Sequence, residues 1–292
     1  MAVVATISRE LRAPRKIARR NRVFTVFLMF STLLAIIVLV TLLVDLLTDG
    51  VGRLRPDLVT AYPSRFPERA GARAALLGTL WLMGISALLT VPLGVGAAIY
   101  LEEFARRNRF TRAIETNIAN LAGVPAIIYG LLALGVFVET LRIGRVLLVG
   151  AIAISLLVLP VVIIASREAL RSIPAGIREG AFALGATRWE VVRNQVVPPA
   201  IPGIMTGAIL ALSRAIGEAA PLVVLGAFTY IAFDPMPFSA FTAMPIQILN
   251  WVFRPQAGFS QLAAATSILL LVVLLSLNAV AIWLRNRYRK EW

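Results

Sequence analysis

Apolar residues in this chain run on without interruption and show neither helical nor strand spacing. Six stretches carry no charged side chain: Val23–Val44, Ala74–Leu101, Thr116–Val138, Val146–Ser166, Asn194–Ser213 and Pro255–Leu284. A helix needs about 20 such residues to cross a bilayer core, so each run predicts a transmembrane helix. A seventh run, Pro235–Phe253, has the length but carries Pro235, Pro237, Pro245, Gln247 and Asn250. Prolines and amides argue against a continuous lipid-facing helix, so it reads as an extramembrane hairpin or re-entrant segment with an amphipathic end. Pro92, Pro125 and Pro160 predict kinks in the second, third and fourth helices. Tyr129 and the polar start of the third span (Glu115, Asn117, Asn120) read as packing, capping or interhelical contacts. The expected fold class is an all-α polytopic membrane protein with six spans.

Composition agrees. The chain is 59% hydrophobic and 15% charged, with a mean hydropathy of +0.84, against about 25% charged in a soluble domain. It holds no Cys and no His, which excludes a disulfide framework, a thiol nucleophile and the commonest general base and metal ligands. No metal site and no catalytic residue is expected. No P-loop sequence is present, so the chain cannot itself bind ATP in that way.

Charge sets the orientation. With the N-terminus inside, cytoplasmic segments hold 20 of the 29 basic residues and external loops 8, the last being Arg214. That asymmetry favours six spans with both termini cytoplasmic. The net charge of +14 then records membrane topology and gives no reason to expect nucleic acid. The organisation follows: a basic cytoplasmic arm (1–22), a first helix (23–48) with no cleavage signal after it, an external linker (49–75), a five-helix core (76–284) and a basic tail (285–292). No internal repeat is evident.

The most informative loop is 167–199. Pro174 opens a short helix with Ile177, Ala181 and Leu184 at helical spacing, and Gly185 stands where a left-handed turn would end it. Thr187-Arg-Trp-Glu190 is a capping box. It predicts a second short helix from Arg188 to Val197, stopped by Pro198-Pro199, with Trp189, Val192 and Val196 on one stripe. Such a helix either docks in a partner's groove or lies on its own protein or the membrane.

Arg214 and Glu218 interrupt an apolar stretch at spacing i, i+4 and so share a helix face. Charges at bilayer depth cost roughly 2.5–3.5 kcal/mol and face a cavity or one another. Two readings stay open: a self-satisfied pair that fixes packing, or an anion pathway in which the Arg fork binds phosphate. In the second, Glu218 accepts the hydrogen that phosphate carries near neutral pH and sulfate lacks.

The loop resembles the EAA motif of ABC-importer permeases: Glu179-Gly-Ala181, then Gly185, then Pro198. Gly180, Gln195 and Val197 depart from the usual residues. Leu76–Leu284 is similar to a type-1 importer permease domain. The stretches Gly123–Gly135, Leu159–Leu170, Ala183–Val192 and Leu212–Ala227 resemble phosphate permease subunits of the PstA type. That resemblance implies a multi-pass bacterial inner-membrane subunit of a phosphate importer. Its implied partners are a homologous second permease, two cytoplasmic ATPase subunits, an external phosphate-binding protein and membrane lipid. ATP and Mg would be used by the partner ATPase, with no cofactor in this chain. Glu179, Ala181, Gly185, Thr187, Trp189, Glu190, Val192, Val196 and Pro198 would form the ATPase-coupling segment, and Arg214 and Glu218 the substrate pathway. Where many family members place an Arg after the Leu-Pro of the fourth span, this chain has Ile164; Arg167 substitutes only if it points into the pathway, and otherwise anchors the inner end. The alternatives are a permease for another oxyanion (molybdate or sulfate), a gradient-driven transporter with Glu218 as proton site, and a membrane scaffold.

Overall fold

The computed structural model describes residues 15–228 and 230–287; most of the basic arm (1–14) and the end of the tail (288–292) lie outside them. Among the described residues every regular element is helical. Two compact units are present, 1–49 and 50–292, and each is described by itself. The first is α1 (Arg15–Gly50), whose apolar side chains from Val23 to Val44 are exposed. Its threonines Thr25, Thr32 and Thr41 each return their hydroxyl to the carbonyl four residues back, all at 2.9 Å. These hydroxyls are thereby satisfied within the helix.

The second unit opens with residues 50–72, expected as a linker. The structure corrects this. A 3-10 turn (Val51–Arg53) and α2 (Pro56–Thr60) bring Leu58, Ala70 and Ala72 into a buried cluster with Trp251, Phe259 and Leu262. Hydrophobic burial holds the segment, and an ion pair closes it. Arg73 Nε and Nη2 reach Asp234 Oδ1 and Oδ2 at 2.8 and 2.6 Å, and the Tyr62 hydroxyl donates to Oδ1 at 3.0 Å.

The long helices form the core. α3 (Arg73–Ile99) runs on through a π turn (Tyr100–Phe104) and packs along α6 (Leu147–Arg171). Small residues allow this approach: Ser86 donates to Ala151 O at 2.9 Å, and a Cβ on Gly94 would meet Val162 at 2.8 Å. α9 (Val197–Ala215) also packs against α6. There Gly203 and Gly207, four residues apart, face Ala169 and Ala165, and a Cβ on either glycine would come within 2.8 or 2.4 Å of them. Small residues at this spacing let membrane helices touch along their backbones. α12 (Ala257–Arg287) supplies the final long helix.

The expected third span is not one kinked helix. It divides into α4 (Arg109–Ala122) and α5 (Ala126–Ala133), which extends as a π turn to Thr140, and the two pieces lie 103° apart. Pro125 lacks a backbone donor and pushes Val124 out of helical geometry, so the chain breaks there. Pro92 and Pro160 instead stay inside α3 and α6. Among the described residues five helices are long and apolar enough to cross a membrane, or up to six if this bent pair counts as one span.

Residues 235–243 are irregular and lead into α11 (Met244–Val252), in keeping with the proline-rich pattern. Ser239 and Pro237 carbonyls accept from the first donors of α6, Leu147 and Leu148, at 3.0 and 2.8 Å. Thr79 Oγ1 accepts from Met244 N at 2.8 Å.

The Arg73 clamp makes a pH prediction. Hydrogen bonding from Arg73 holds the Asp234 carboxyl below its ordinary value. A depressed native pKa gives stability that is present above the unfolded value of about 3.9 and is lost as pH falls through the native one. Asp234→Asn should therefore lower the Tm of the purified protein near neutral pH, with the difference from the parent starting to shrink only below about pH 4 and vanishing once pH falls below the native pKa. Melting curves across that range check it; a constant difference at all pH values would exclude the clamp as its source.

Candidate functional site

Two helices are interrupted at the same place. The first break is Gly123-Val-Pro125, between α4 and α5. The second follows α9: the helix ends at Ala215, residues 216–219 turn, and α10 (Ala220–Leu225) resumes before Gly226 closes it with φ 81°. The expectation that Arg214 and Glu218 share a face of one helix is corrected here, because Glu218 lies beyond the helix end, in the turn. Gly130 holds the two broken elements together. Its Cα lies so near the Pro221 backbone that a Cβ would sit 2.5 Å from the carbonyl oxygen and 2.7 Å from Cα.

Between the breaks is a cavity of ≈ 330 Å³ lined by Gly123, Pro125, Val158, Val161, Arg214 and Glu218, among others. Irregular backbone at membrane depth is tolerated where protein or a polar cavity receives it, and interrupted helices commonly mark transporter binding sites. Arg214 Nε stands 3.8 Å from Glu218 Oε1, with the Arg side chain 78% exposed and the Glu side chain 24%. That separation exceeds hydrogen-bonding distance. The two form an ion pair without a hydrogen bond, and among the described residues the Arg214 guanidinium makes no side-chain hydrogen bond.

Tyr129 does not reach this cavity. It is buried, and its hydroxyl donates to Leu121 O at 2.8 Å across the break.

The 172–199 loop lies elsewhere. α7 (Ala175–Ala183) begins after Pro174, and Gly185 takes φ 85° as expected. Glu179 is exposed on it, and Ala181 packs against the cluster below. The capping box forms in full: Thr187 N and Oγ1 each lie 2.8 Å from Glu190 Oε2, and Glu190 N lies 3.4 Å from Thr187 Oγ1. Two expectations are corrected. Pro198-Pro199 do not stop the second helix; α8 (Arg188–Val191) passes through a π turn (Val192–Val196) directly into α9. The wider turn takes the place of the hydrogen bonds the prolines cannot donate. The Trp189–Val192–Val196 stripe also divides. Val192 and Val196 are buried in the chain, whereas Trp189 is 58% exposed, its ring 6.4 Å from Phe104.

Arg167 lines neither the cavity at the breaks nor an open surface. It is buried, with Nη2 2.7 Å from Glu115 Oε1 and Nε 3.3 Å from Glu102 Oε2. Glu102 also takes Arg171 Nε at 2.9 Å, and Glu103 takes Arg178 Nη2 at 2.7 Å. Arg178 further donates to the carbonyls of Ile173 and Leu170 at 2.8 and 3.0 Å, which caps the end of α6. One ionic network thus ties α3, α4, α6 and α7. Sequence reasoning missed Glu102, Glu103, Arg171 and Arg178. The available signal was a Glu pair at the end of one apolar run and Arg167/Arg171, four apart, at the end of another. Asn117 makes only a local bond to Ala113 O, 3.0 Å away, and the N-cap of α4 is Asn108.

Residues 90–290 match the family described as binding-protein-dependent transport system inner membrane component. The chain belongs to this family. Relatives of this inner membrane component span nearly its whole length. It is 33% identical over 290 residues to the phosphate transport system permease protein PstA 1 of Mycobacterium tuberculosis, covering 97% of this chain and 93% of the relative. It is 32% identical to the probable ABC transporter permease protein YqgI of Bacillus subtilis, over 90% and 95%. Among solved structures, a bacterial ABC transporter that imports the acidic polysaccharide alginate superposes with TM-score 0.66 at 18% identity, covering 94% of this chain and 99% of that one. The inward-facing MetNI methionine ABC transporter superposes with TM-score 0.62 at 16% identity, over 74% and 95%. These likenesses place the chain in the type-1 ABC importer permease fold. It is a multi-pass inner-membrane permease subunit.

Two substitutions test the architecture. Gly130→Ala should fail to accumulate as folded protein, because both atoms facing the new methyl group are backbone; a Tm equal to the parent would contradict the contact. Arg167→Met should destabilise by roughly 3 kcal/mol, since it leaves Glu115 without its ion-pair partner and Glu102 with Arg171 alone. The triple change Arg167→Met, Glu102→Gln, Glu115→Gln should recover part of that loss.

Proposed function

We propose that this permease subunit serves an ATP-driven importer of inorganic phosphate, and that Arg214 and Glu218 line its half of the pathway. The observation that carries the proposal is the exposed Arg214 guanidinium beside a cavity where two helices break. A planar fork with free donors suits a tetrahedral oxyanion. Glu218, 3.8 Å away, accepts the hydrogen of a protonated phosphate oxygen and repels a fully ionised sulfate. Its charge also keeps Arg214 from holding the anion too tightly for release. The relatives that bear phosphate transport names cover this stretch, which supports the choice of anion over molybdate or sulfate.

On this reading the chain hydrolyses nothing. ATP and Mg belong to two ATPase subunits, a second permease supplies the other half of the pathway, and an external binding protein delivers the phosphate. The predominance of basic residues in the inward segments supports cytoplasmic termini and puts the 172–199 loop on the ATPase side. There the capped helix from Arg188 exposes Trp189 as the anchor, with Glu179 on the preceding helix. Val192 and Val196 serve differently: buried beneath the helix, they fasten it to the core so that a push on Trp189 moves α9 and, at its far end, Arg214.

Arg214→Gln should abolish phosphate uptake while the assembled complex purifies in normal yield; retained uptake would overturn the pathway assignment. Trp189→Ala should weaken recovery of the ATPase in an affinity purification, by about tenfold if the ring is a central anchor. A preparation that yields this chain alone, under conditions that preserve other membrane complexes, would favour a gradient-driven transporter.

A further inference from the structure

A second polar cavity, of ≈ 310 Å³, lies at the opposite end of α4 from the helix breaks. Four guanidinium groups line it, those of Arg107, Arg112, Arg167 and Arg171, with two carboxylates, Glu102 and Glu115. The carboxylates are engaged by Arg167 and Arg171. Asn108 Oδ1 is occupied by Thr111 N at 2.8 Å, and Thr111 Oγ1 donates to Arg106 O at 2.8 Å. Arg107 and Arg112 have no ion pair or side-chain hydrogen bond among the described residues. The cavity therefore holds two positive charges in excess and two forks with nothing to bind.

Its position narrows the ligand. α3 and its π turn run from Arg73 to Phe104, a helical path of about 48 Å against a hydrocarbon core of about 30 Å. A run longer than the core leaves residues 105–112, which follow it, outside the hydrocarbon and next to the polar boundary of the bilayer. Arg106, Arg107, Arg109 and Arg112 cluster there beside Phe110, which is 73% exposed. An aromatic ring among arginines at the end of a span suits the interface of an anionic bilayer.

We infer that this cavity is an anion site distinct from the one at Arg214, and that it takes a phosphate group on Arg107 and Arg112. The inference rests on the membrane placement of the chain and holds whether or not Arg214 handles phosphate. The phosphate group belongs either to an acidic phospholipid or to free phosphate at that side of the membrane. A bound group also draws on Arg171 and so competes with Glu102, which ties occupancy to the network between α3, α6 and α7.

The test uses the protein in its native assembly, in nanodiscs of phosphatidylcholine with or without phosphatidylglycerol. Native mass spectrometry counts retained phosphatidylglycerol, and equilibrium dialysis measures radiolabelled inorganic phosphate. The Arg107→Gln/Arg112→Gln variant should bind one of these probes tenfold or more weakly, the loss expected of charge-assisted hydrogen bonds. Both side chains lack internal partners, so folding should survive; single Arg112→Gln should show an intermediate loss. Measured in an Arg214→Gln background, where the pathway site is silenced, the Arg107→Gln/Arg112→Gln pair should cause the same loss, which separates failure of the pathway reading from failure of this one. Loss of lipid alone identifies a headgroup site, and loss of inorganic phosphate alone a free-phosphate site. Unchanged binding of both probes overturns the inference.

Discussion

In hydrocarbon, every backbone donor and acceptor must find its partner within the protein, and that constraint organises this chain. It forces long helices, makes α1 return its hydroxyls to its own carbonyls, and makes every interruption expensive. The two interruptions that do occur, at 123–125 and 216–219, are accommodated inward. Each opens onto the same cavity, and each is braced by contacts across the gap. Tyr129 bridges the first break through Leu121 O, and the Gly130–Pro221 contact fixes one broken element to the other. Interrupted backbone next to a cavity is where transporters place their sites, so the cost of breaking two helices has a use.

The spans were readable because their signal is composition over about 20 residues, which needs no tertiary information. The capping box at Thr187 and the left-handed Gly185 were readable for the opposite reason: both are local, set by residues at most four apart. What failed lay between those scales. Whether Pro125 kinks or breaks a helix, when Pro92 and Pro160 lie inside helices that continue through them, depends on what the loose ends meet. Gly123 beside it was a hint that sequence alone could not weigh. Val192 and Val196 share a helical stripe with Trp189, but the π turn rotates them toward the core, and no periodicity argument anticipates an extra residue in a turn. The 50–72 segment looked like a linker from its Pro, Gly and Arg content, because the partners that bury it, Trp251 and Phe259, lie almost 200 residues away.

At the candidate site the residue types were legible and their relation was not. Arg214 and Glu218 stood out as charges in an apolar stretch. Spacing left a closed pair and an anion pathway both open, and only the end of α9 at Ala215 shows that the carboxylate sits in a turn, 3.8 Å from the guanidinium and not hydrogen-bonded to it. Arg167 shows the reverse. As a charge near a span end it offered itself for the pathway, yet burial beside Glu102 and Glu115 commits it to structure. Its two carboxylates neutralise it, and removing either would unbalance a desolvated cluster.

These two arginines suggest why a permease would separate its charges this way. A transported ion must be attracted and then let go, so the guanidinium that meets it should be exposed, incompletely paired and set in backbone able to shift. Arg214, at the frayed junction of α9 and α10, satisfies all three. The charges that tie the moving parts together need the opposite environment, with short bonds, low exposure and partners on several helices. The Glu102–Arg167–Glu115 network has those features, and it holds the start of α4, whose other end forms the wall of the cavity. α7 is tied to the end of α3 by Glu103–Arg178, the neighbouring Glu102 is tied through Arg167 to Glu115 on α4, and α8 runs on into α9, which carries Arg214 at its far end. On the proposed reading, movement of the loop would reach the cavity by both routes.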